Sequence, residues 1–260
     1  MIFRSQLAPR ESHGAVTPAF DAISEAQQKA GVSDWFVTQP DHARLSGELA
    51  AALDPAMVHN LSEAVVRAIG MHDIGWMPFD GDAASPQPPK AHDSGVAVSF
   101  VNSEPATFLP AWTGSIQAAQ STGALGGLLV SAHFARLTTP YLEGNKGTPE
   151  QRAQVQQFLH RERARADRLR PQAGLRSGEI ENLIRVLQFC DLASLYWCAN
   201  PEAPVEFPQV LNGRRVQFFC ESGGFRMTPN LLTHALALEV PCVRFVNGKP
   251  ERETVAARVE

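Results

Sequence analysis

The sequence has no run of about eighteen apolar residues, the least that a helix needs to cross a bilayer. Residues 1–20, beginning Met1-Ile2-Phe3-Arg4, also lack the unbroken apolar stretch of a secretory signal. Together these absences predict a cytoplasmic protein with no membrane partner. Cysteine is scarce: Cys190, Cys198, Cys220 and Cys242 share no CxxC spacing, which argues against a zinc ribbon or disulfide framework and predicts small buried hydrophobes. Basic charge is not in excess either. The formal charge of −4 gives no electrostatic reason to expect a nucleic-acid polymer as partner, and any polyanion would need a local basic patch. No repeat, low-complexity tract or linker divides the 260 residues, so a single domain is expected.

The chain does hold strong helix signals. A short helix is expected over Ala19–Lys29, and Asp34-Trp35-Phe36-Val37 reads as extended. Thr38-Gln39-Pro40-Asp41 has the Thr-x-x-acid form of a helix start and predicts a helix from Pro40 to Leu53. Asp54-Pro55 starts a second, whose apolar residues Val58, Leu61, Val65 and Ile69 carry it to His72-Asp73. The dense prolines between Pro78 and Pro110 predict a long loop. Leu125–Leu137 is a third helix, Thr148-Pro149-Glu150-Gln151 caps a charged fourth that Pro171 stops, and Ser177 opens the most periodic one. Asn212-Gly213 and Asn247-Gly248 beside β-rich runs predict hairpins. The expected architecture is mainly α: a helical core over about 35–200, closed by a small C-terminal antiparallel β-sheet over about 205–260.

Four ionisable residues fall on the apolar faces of their own helices. His42 shares a face with Leu45 and Leu49; His72 and Asp73 follow Ile69 and Val65; Asp191 sits between Leu187 and Leu195. Even a neutral polar group left unpaired in a core costs roughly 2–7 kcal/mol, so these residues need partners. For any one of them a structural hydrogen bond, such as a buried Asp–His pair, is the simpler reading. As a set they can be satisfied by one divalent cation. Two carboxylates neutralise it, and two imidazoles favour Fe, Mn, Zn or Co over Ca or Mg.

The order His42, then Met71-His72-Asp73-Ile74-Gly75, then Gln188-Phe189-Cys190-Asp191-Leu192-Ala193 resembles the H…HD…D signature of the HD superfamily. That resemblance covers roughly Trp35 to Asn200 and implies an HD-like helical bundle with metal-dependent phosphohydrolase activity. Thr38–Gly47, His72–Trp76 and Val130-Ser131-Ala132-His133-Phe134 are similar to a bacterial branch of HD-like proteins described only as a domain of unknown function. Many HD hydrolases carry Lys after the Gly of HD-x-G; Trp76 stands there in this chain. The second cluster of the relatives that cleave cyclic dinucleotides is also missing.

His133, four residues from both Leu129 and Leu137, faces inward and is a candidate second-metal ligand or general acid; a core hydrogen bond is the competing reading. Asp80 is a candidate outer group or base, with loop capping as its alternative. His92 lies in a loop that aims it nowhere; as a ligand it would complete an array resembling the superfamily's diiron oxygenases. His13, His59, His160 and His234 are expected at the surface or in packing. Arg161, Arg163 and Arg165 belong to a solvated face, and Arg136 is expected in a salt bridge or on phosphate. The functional expectation is hydrolysis of a small phosphoester or nucleotide through a water on one or two ions, in a monomer or oligomer. The alternatives are oxygen-dependent cleavage by a diiron pair and a non-catalytic metal or sensor site.

Overall fold

Side-chain caps set several helix starts. The structure, a computed structural model, describes residues 1–260 except 5, 9, 10, 59, 60, 222 and 223, so His59 lies outside the described residues. Helix α1 spans Ala19–Gln28 and α2 Gln39–Ala52, whose Thr38 hydroxyl accepts the Asp41 amide at 3.2 Å. Then come α3 (Pro55–Val58), α4 (Glu63–Gly70) and α5 (Met77–Asp80). Helices α6 (Pro105–Gln120), α7 (Ala124–Glu143), α8 (Pro149–Leu169) and α9 (Ser177–Ala199) complete the helical part. Thr148 and Gln151 form the reciprocal box that starts α8. None of the helices is long and apolar enough to cross a membrane.

Strands β1 (Ile2–Arg4), β2 (Thr17–Pro18) and β3 (Trp35–Val37) come from the N-terminal part, and β4 (Val205–Leu211), β5 (Arg214–Glu221), β6 (Gly224–Thr228), β7 (Leu236–Val246) and β8 (Lys249–Val259) from the C-terminal part. They join in one sheet of eight strands, ordered β1-β3-β7-β8-β6-β5-β4-β2. The pairs β2–β4 and β6–β8 are parallel and the others antiparallel. Asn212-Gly213 and Asn247-Gly248 both take positive φ and close the β4–β5 and β7–β8 hairpins, as the turn type requires.

This sheet corrects the expected mainly α architecture with a small antiparallel C-terminal sheet. The protein is half helical with about a fifth of its residues in a large mixed sheet, an α/β fold. The extended segment foreseen at Asp34–Val37 is β3, but β1 and β2, of three and two residues, carry too little alternation to be read; β1 and β3 extend the sheet beyond β7, and β2 lies beyond β4. Two helix expectations also fail. The helix foreseen from Pro55 to Asp73 is two helices, because Ser62 caps a new start, and α4 ends at Gly70, leaving His72-Asp73 in the following turn. The proline-rich loop ends earlier than Pro110: Pro105 occupies the first turn of α6, where a missing N–H costs nothing, and Pro110 is inside the helix.

Helix α9 is the centre of the molecule. From Phe189 to Asn200 all but one of the residues are buried; Phe189 and Tyr196 meet Phe207 and Phe218 of the sheet edge-on, and Trp197 stacks on Phe218. One apolar core runs through both layers, from Leu45, Leu49 and Ile69 to Phe207 and Phe218. The four cysteines are free and buried, as expected.

On the helical side, close backbone approaches fix the geometry. A Cβ on Gly47 of α2 would lie 2.8 Å from the Gly70 Cα of α4. One on Gly75, in the 3-10 turn Ile74–Trp76, would lie 2.0 Å from the Ala111 carbonyl oxygen of α6, and the Gly75 amide donates to Ser115 Oγ at 3.0 Å. The substitution Gly75→Ala is therefore expected to lower the unfolding free energy by about 1–3 kcal/mol, the usual cost of overpacking, in urea titrations.

Candidate metal centre

Helix α2 and the turn after α4 cross where neither Gly47 nor Gly70 has a side chain, and this brings His42 beside His72-Asp73. Helix α9 packs on both and adds Asp191. His42, His72, Asp73 and Asp191 each offer one ligand atom, and those atoms lie within 4.8 Å of one another. His42 Nε2 is 3.2 Å from Asp73 Oδ2 and 3.5 Å from Asp191 Oδ1; His72 Nε2 is 3.1 Å from Asp191 Oδ1 and 3.8 Å from Asp73 Oδ2. Among the described residues these four, each foreseen as a ligand, come together in a group that could hold an ion; His133, the fifth residue foreseen, is not part of it.

The outer nitrogens are already bonded. His72 Nδ1 donates to the Ile69 carbonyl at 2.8 Å. His42 Nδ1 meets Ser194 Oγ at 2.7 Å, while that hydroxyl donates to the Asp191 carbonyl and so accepts from His42. Ser46 Oγ, one turn after His42, lies 2.7 Å from the same hydroxyl. Both imidazoles thus turn Nε2 toward the carboxylates, the orientation that outer partners give metal-bound histidines. Sequence reasoning missed Ser46 and Ser194. Their spacing was the available signal: four after His42 and three after Asp191, on faces that are otherwise apolar.

The donor set fits a divalent transition ion. With Nδ1 protonated, the Nε2 lone pair of His42 faces carboxylate oxygens, and a proton or a metal ion between them makes that contact favourable. Asp73 Oδ1 is buried without a hydrogen-bond partner, a costly condition for a carboxylate oxygen. Two carboxylates and two imidazoles supply the charge and the borderline-soft nitrogens that Fe, Mn, Zn or Co prefer.

Burial alone would lower the His72 pKa, yet the charges of Asp73 and Asp191 outweigh it and raise the imidazole to about 9. Burial also opposes ionisation of Asp191, but the bond from His72 and the nearby imidazoles bring it down to about 2. His133 has no bonded carboxylate and burial dominates, pushing it down to about 4.

His133, from α7, adjoins the cluster. Its Nε2 is 3.8 Å from Asp191 Oδ2, its ring centre is 5.5 Å from that of His72, and its Nδ1 has no hydrogen-bond partner. The other foreseen residues lie elsewhere. Asp80 is buried, 2.6 Å from the backbone nitrogen of Met1, and accepts the Gln39 amide at 3.1 Å, so it ties β1 to the start of α2. His92 opens a tight turn, its amide bonded to Val96 and its carbonyl to Gly95, and is not one of the clustered residues. Arg136 pairs with Glu181 and Gln188. Arg165 pairs with Glu162 and Gln120, while Arg161, Arg163, His13, His160 and His234 are exposed.

A cavity of about 380 Å³ opens against one side of the cluster. Asp73, Asp191 and His133 border it, whereas His42 and His72 lie behind them with no exposure. The remaining wall is largely aromatic and aliphatic, including Trp76, Phe108, Trp112, Leu137 and Tyr141.

Two measurements test the centre. At pH 7.5 the ion must displace the proton of His72, so calorimetry in buffers of different ionisation enthalpy should report about one proton released per ion, with affinity weakening about tenfold per pH unit below the His72 value of about 9. Ser194→Ala should weaken metal affinity about 10–100-fold while leaving the fold intact by circular dichroism.

No curated protein and no solved structure matches the chain. Residues 27–244 match the family described as Protein of unknown function (DUF3891), a span that includes every residue of the cluster and both layers of the fold, and the chain belongs to that family.

Proposed function

We propose that the protein is a metal-dependent hydrolase of the HD superfamily that cleaves a small phosphoester. One observation carries the reading: a two-histidine, two-aspartate cluster whose imidazoles are enclosed by protein and whose carboxylates border a cavity. A structural ion is closed off by its ligands, whereas a catalytic one keeps a position for water or substrate, and the cavity supplies that side. The order of the ligands along the chain, His42, His72-Asp73, Asp191, supports the superfamily.

When bound, a divalent ion supplies Lewis acidity and a water acidified toward neutral pH. The chain's own groups do the rest. Asp73, with Oδ1 free of protein partners, accepts a hydrogen bond from the attacking water and orients it. His133 borders the cavity beside Asp191 and, held neutral by its burial, accepts a proton from the attacking water and passes it to the leaving oxygen. Trp76, at the position where many HD hydrolases carry Lys, borders the cavity with its indole N–H unpartnered and donates to a substrate oxygen without adding charge. The diiron alternative needs His92 as a ligand, and the position of His92 outside the cluster gives that reading no support.

The test is metal analysis joined to kinetics. His72→Ala and Asp73→Ala should each leave the purified protein with almost no bound transition metal. His133→Gln should keep the metal and lower kcat by about 10²–10⁴-fold on a chromogenic phosphoester, the usual contribution of a positioned acid or base. Full metal content in both cluster variants would end the proposal.

A further inference from the structure

We infer that the cavity takes an ester whose organic part is a flat aromatic group carrying little charge, an aryl phosphoester rather than a sugar phosphate or a nucleoside polyphosphate. The inference rests on the hydrolase reading for the reaction, but on the wall of the cavity for the substrate.

Aromatic rings form much of that wall. Trp112 lies parallel to Phe134 with ring centres 4.9 Å apart and contacts Phe108 at 4.5 Å, and Tyr141 extends the surface from Phe108 at 5.8 Å. Offset and edge-on contacts with such rings favour a planar aromatic guest over a polyhydroxylated one. Phe20, nearly half exposed at 48%, also borders the cavity and offers an apolar entrance.

Cations are nearly missing from the same wall. Among the described residues that border the cavity, the exposed Lys146 is the one lysine and there is no arginine. A polyphosphate or a bisphosphate would bring several negative charges, and recognising them takes bidentate arginines or several lysines. The nearby Arg136 is held by Glu181. A substrate with one anionic group can place it at the cluster and leave the rest of the cavity to an uncharged body.

The length agrees. His133, Leu137 and Tyr141 border the cavity from successive turns of α7, so the wall extends about 12 Å beyond the reacting end at 1.5 Å per residue. The volume of about 380 Å³ lies near the lower end of small-molecule sites and suits one or two fused rings. Outside the cluster and His133, three buried polar groups on the wall have no protein partner: Trp76 Nε1–H, a donor, and Gln39 Oε1 and Gln209 Oε1, acceptors. An ester oxygen and a ring hydroxyl or amine supply what each lacks. Hydrolysis then breaks the O–P bond, adds the oxygen of water to phosphorus and returns a proton to the aryl oxygen, releasing a phenol and phosphate.

The experiment compares 1-naphthyl phosphate, phenyl phosphate, glycerol 3-phosphate and ATP on the metal-loaded protein, by turnover and by calorimetric binding. Expected is kcat/KM for the naphthyl ester at least about 30-fold above that for glycerol 3-phosphate, with phenyl phosphate between them; the second ring alone buries several methylene equivalents. Leu137→Glu, a change at a partly exposed position on the wall, should abolish this preference while metal content stays at the wild-type level. Binding of the naphthyl ester without turnover would remove the hydrolase reading and leave the substrate class standing. Turnover of all esters alike, a preference for ATP or glycerol 3-phosphate, or no binding of either aryl ester would overturn the inference.

Discussion

His42 Nε2 and Asp73 Oδ2 stand 3.2 Å apart in the core, and the outer nitrogen of the same imidazole is already committed to Ser194. Two acceptors at that distance repel unless a proton or a metal ion lies between them, and the same holds where His42 faces Asp191. The contact exists because three segments of chain are packed too tightly for either group to turn away. Leaving ionised carboxylates buried and unpaired would cost more than any one hydrogen bond returns, so a structure that keeps them together needs a compensating positive charge. Helices α2, α4 and α9 and the 3-10 turn after the HD pair are arranged around that need.

Glycine makes the arrangement possible. Gly47 and Gly70 let α2 and α4 meet backbone to backbone, and Gly75 seats the turn carrying His72-Asp73 against α6. The turn therefore holds its position by contact on two sides rather than by regular helical bonding. On the far side the sheet acts through α9: Phe189, Tyr196 and Trp197 face the strands, so Asp191 and Ser194 are presented to the other helices. The sheet contributes no residue to the cluster, yet it fixes the helix that does.

The His/Asp cluster was legible because its members violate the apolar pattern of their surroundings. A histidine beside Leu45 and Leu49, or an aspartate between Leu187 and Leu195, is conspicuous in a periodic stripe, and amphipathic spacing aims it correctly even where the helix boundary is misplaced. His72 and Asp73 lie beyond the end of α4, but the turn continues inward, so the direction survived the error. What could not be read was long-range pairing. Three residues at Ile2–Arg4 and two at Thr17–Pro18 have no periodicity of their own; they are strands because β3 and β4 lie beside them. Proline density misled at Pro105, since a proline in the first helical turn is a start signal as readily as a loop signal. Asp80 shows the limit for an isolated acid near a motif: its partners, Met1 and Gln39, come from distant positions, and no local pattern announces them.

Helix α7 links the cluster end of the cavity to its apolar wall. His133 stands beside the cluster, and the next turns of the same helix, through Leu137 and Tyr141, form the apolar wall. A rigid helix cannot move one without the other, so the distance between the ion site and the surface that receives the organic group is set by helical rise. What the wall lacks matters as much as what it holds. Among the described residues a single exposed lysine borders the cavity, so outside the cluster the lining offers an anionic group little attraction.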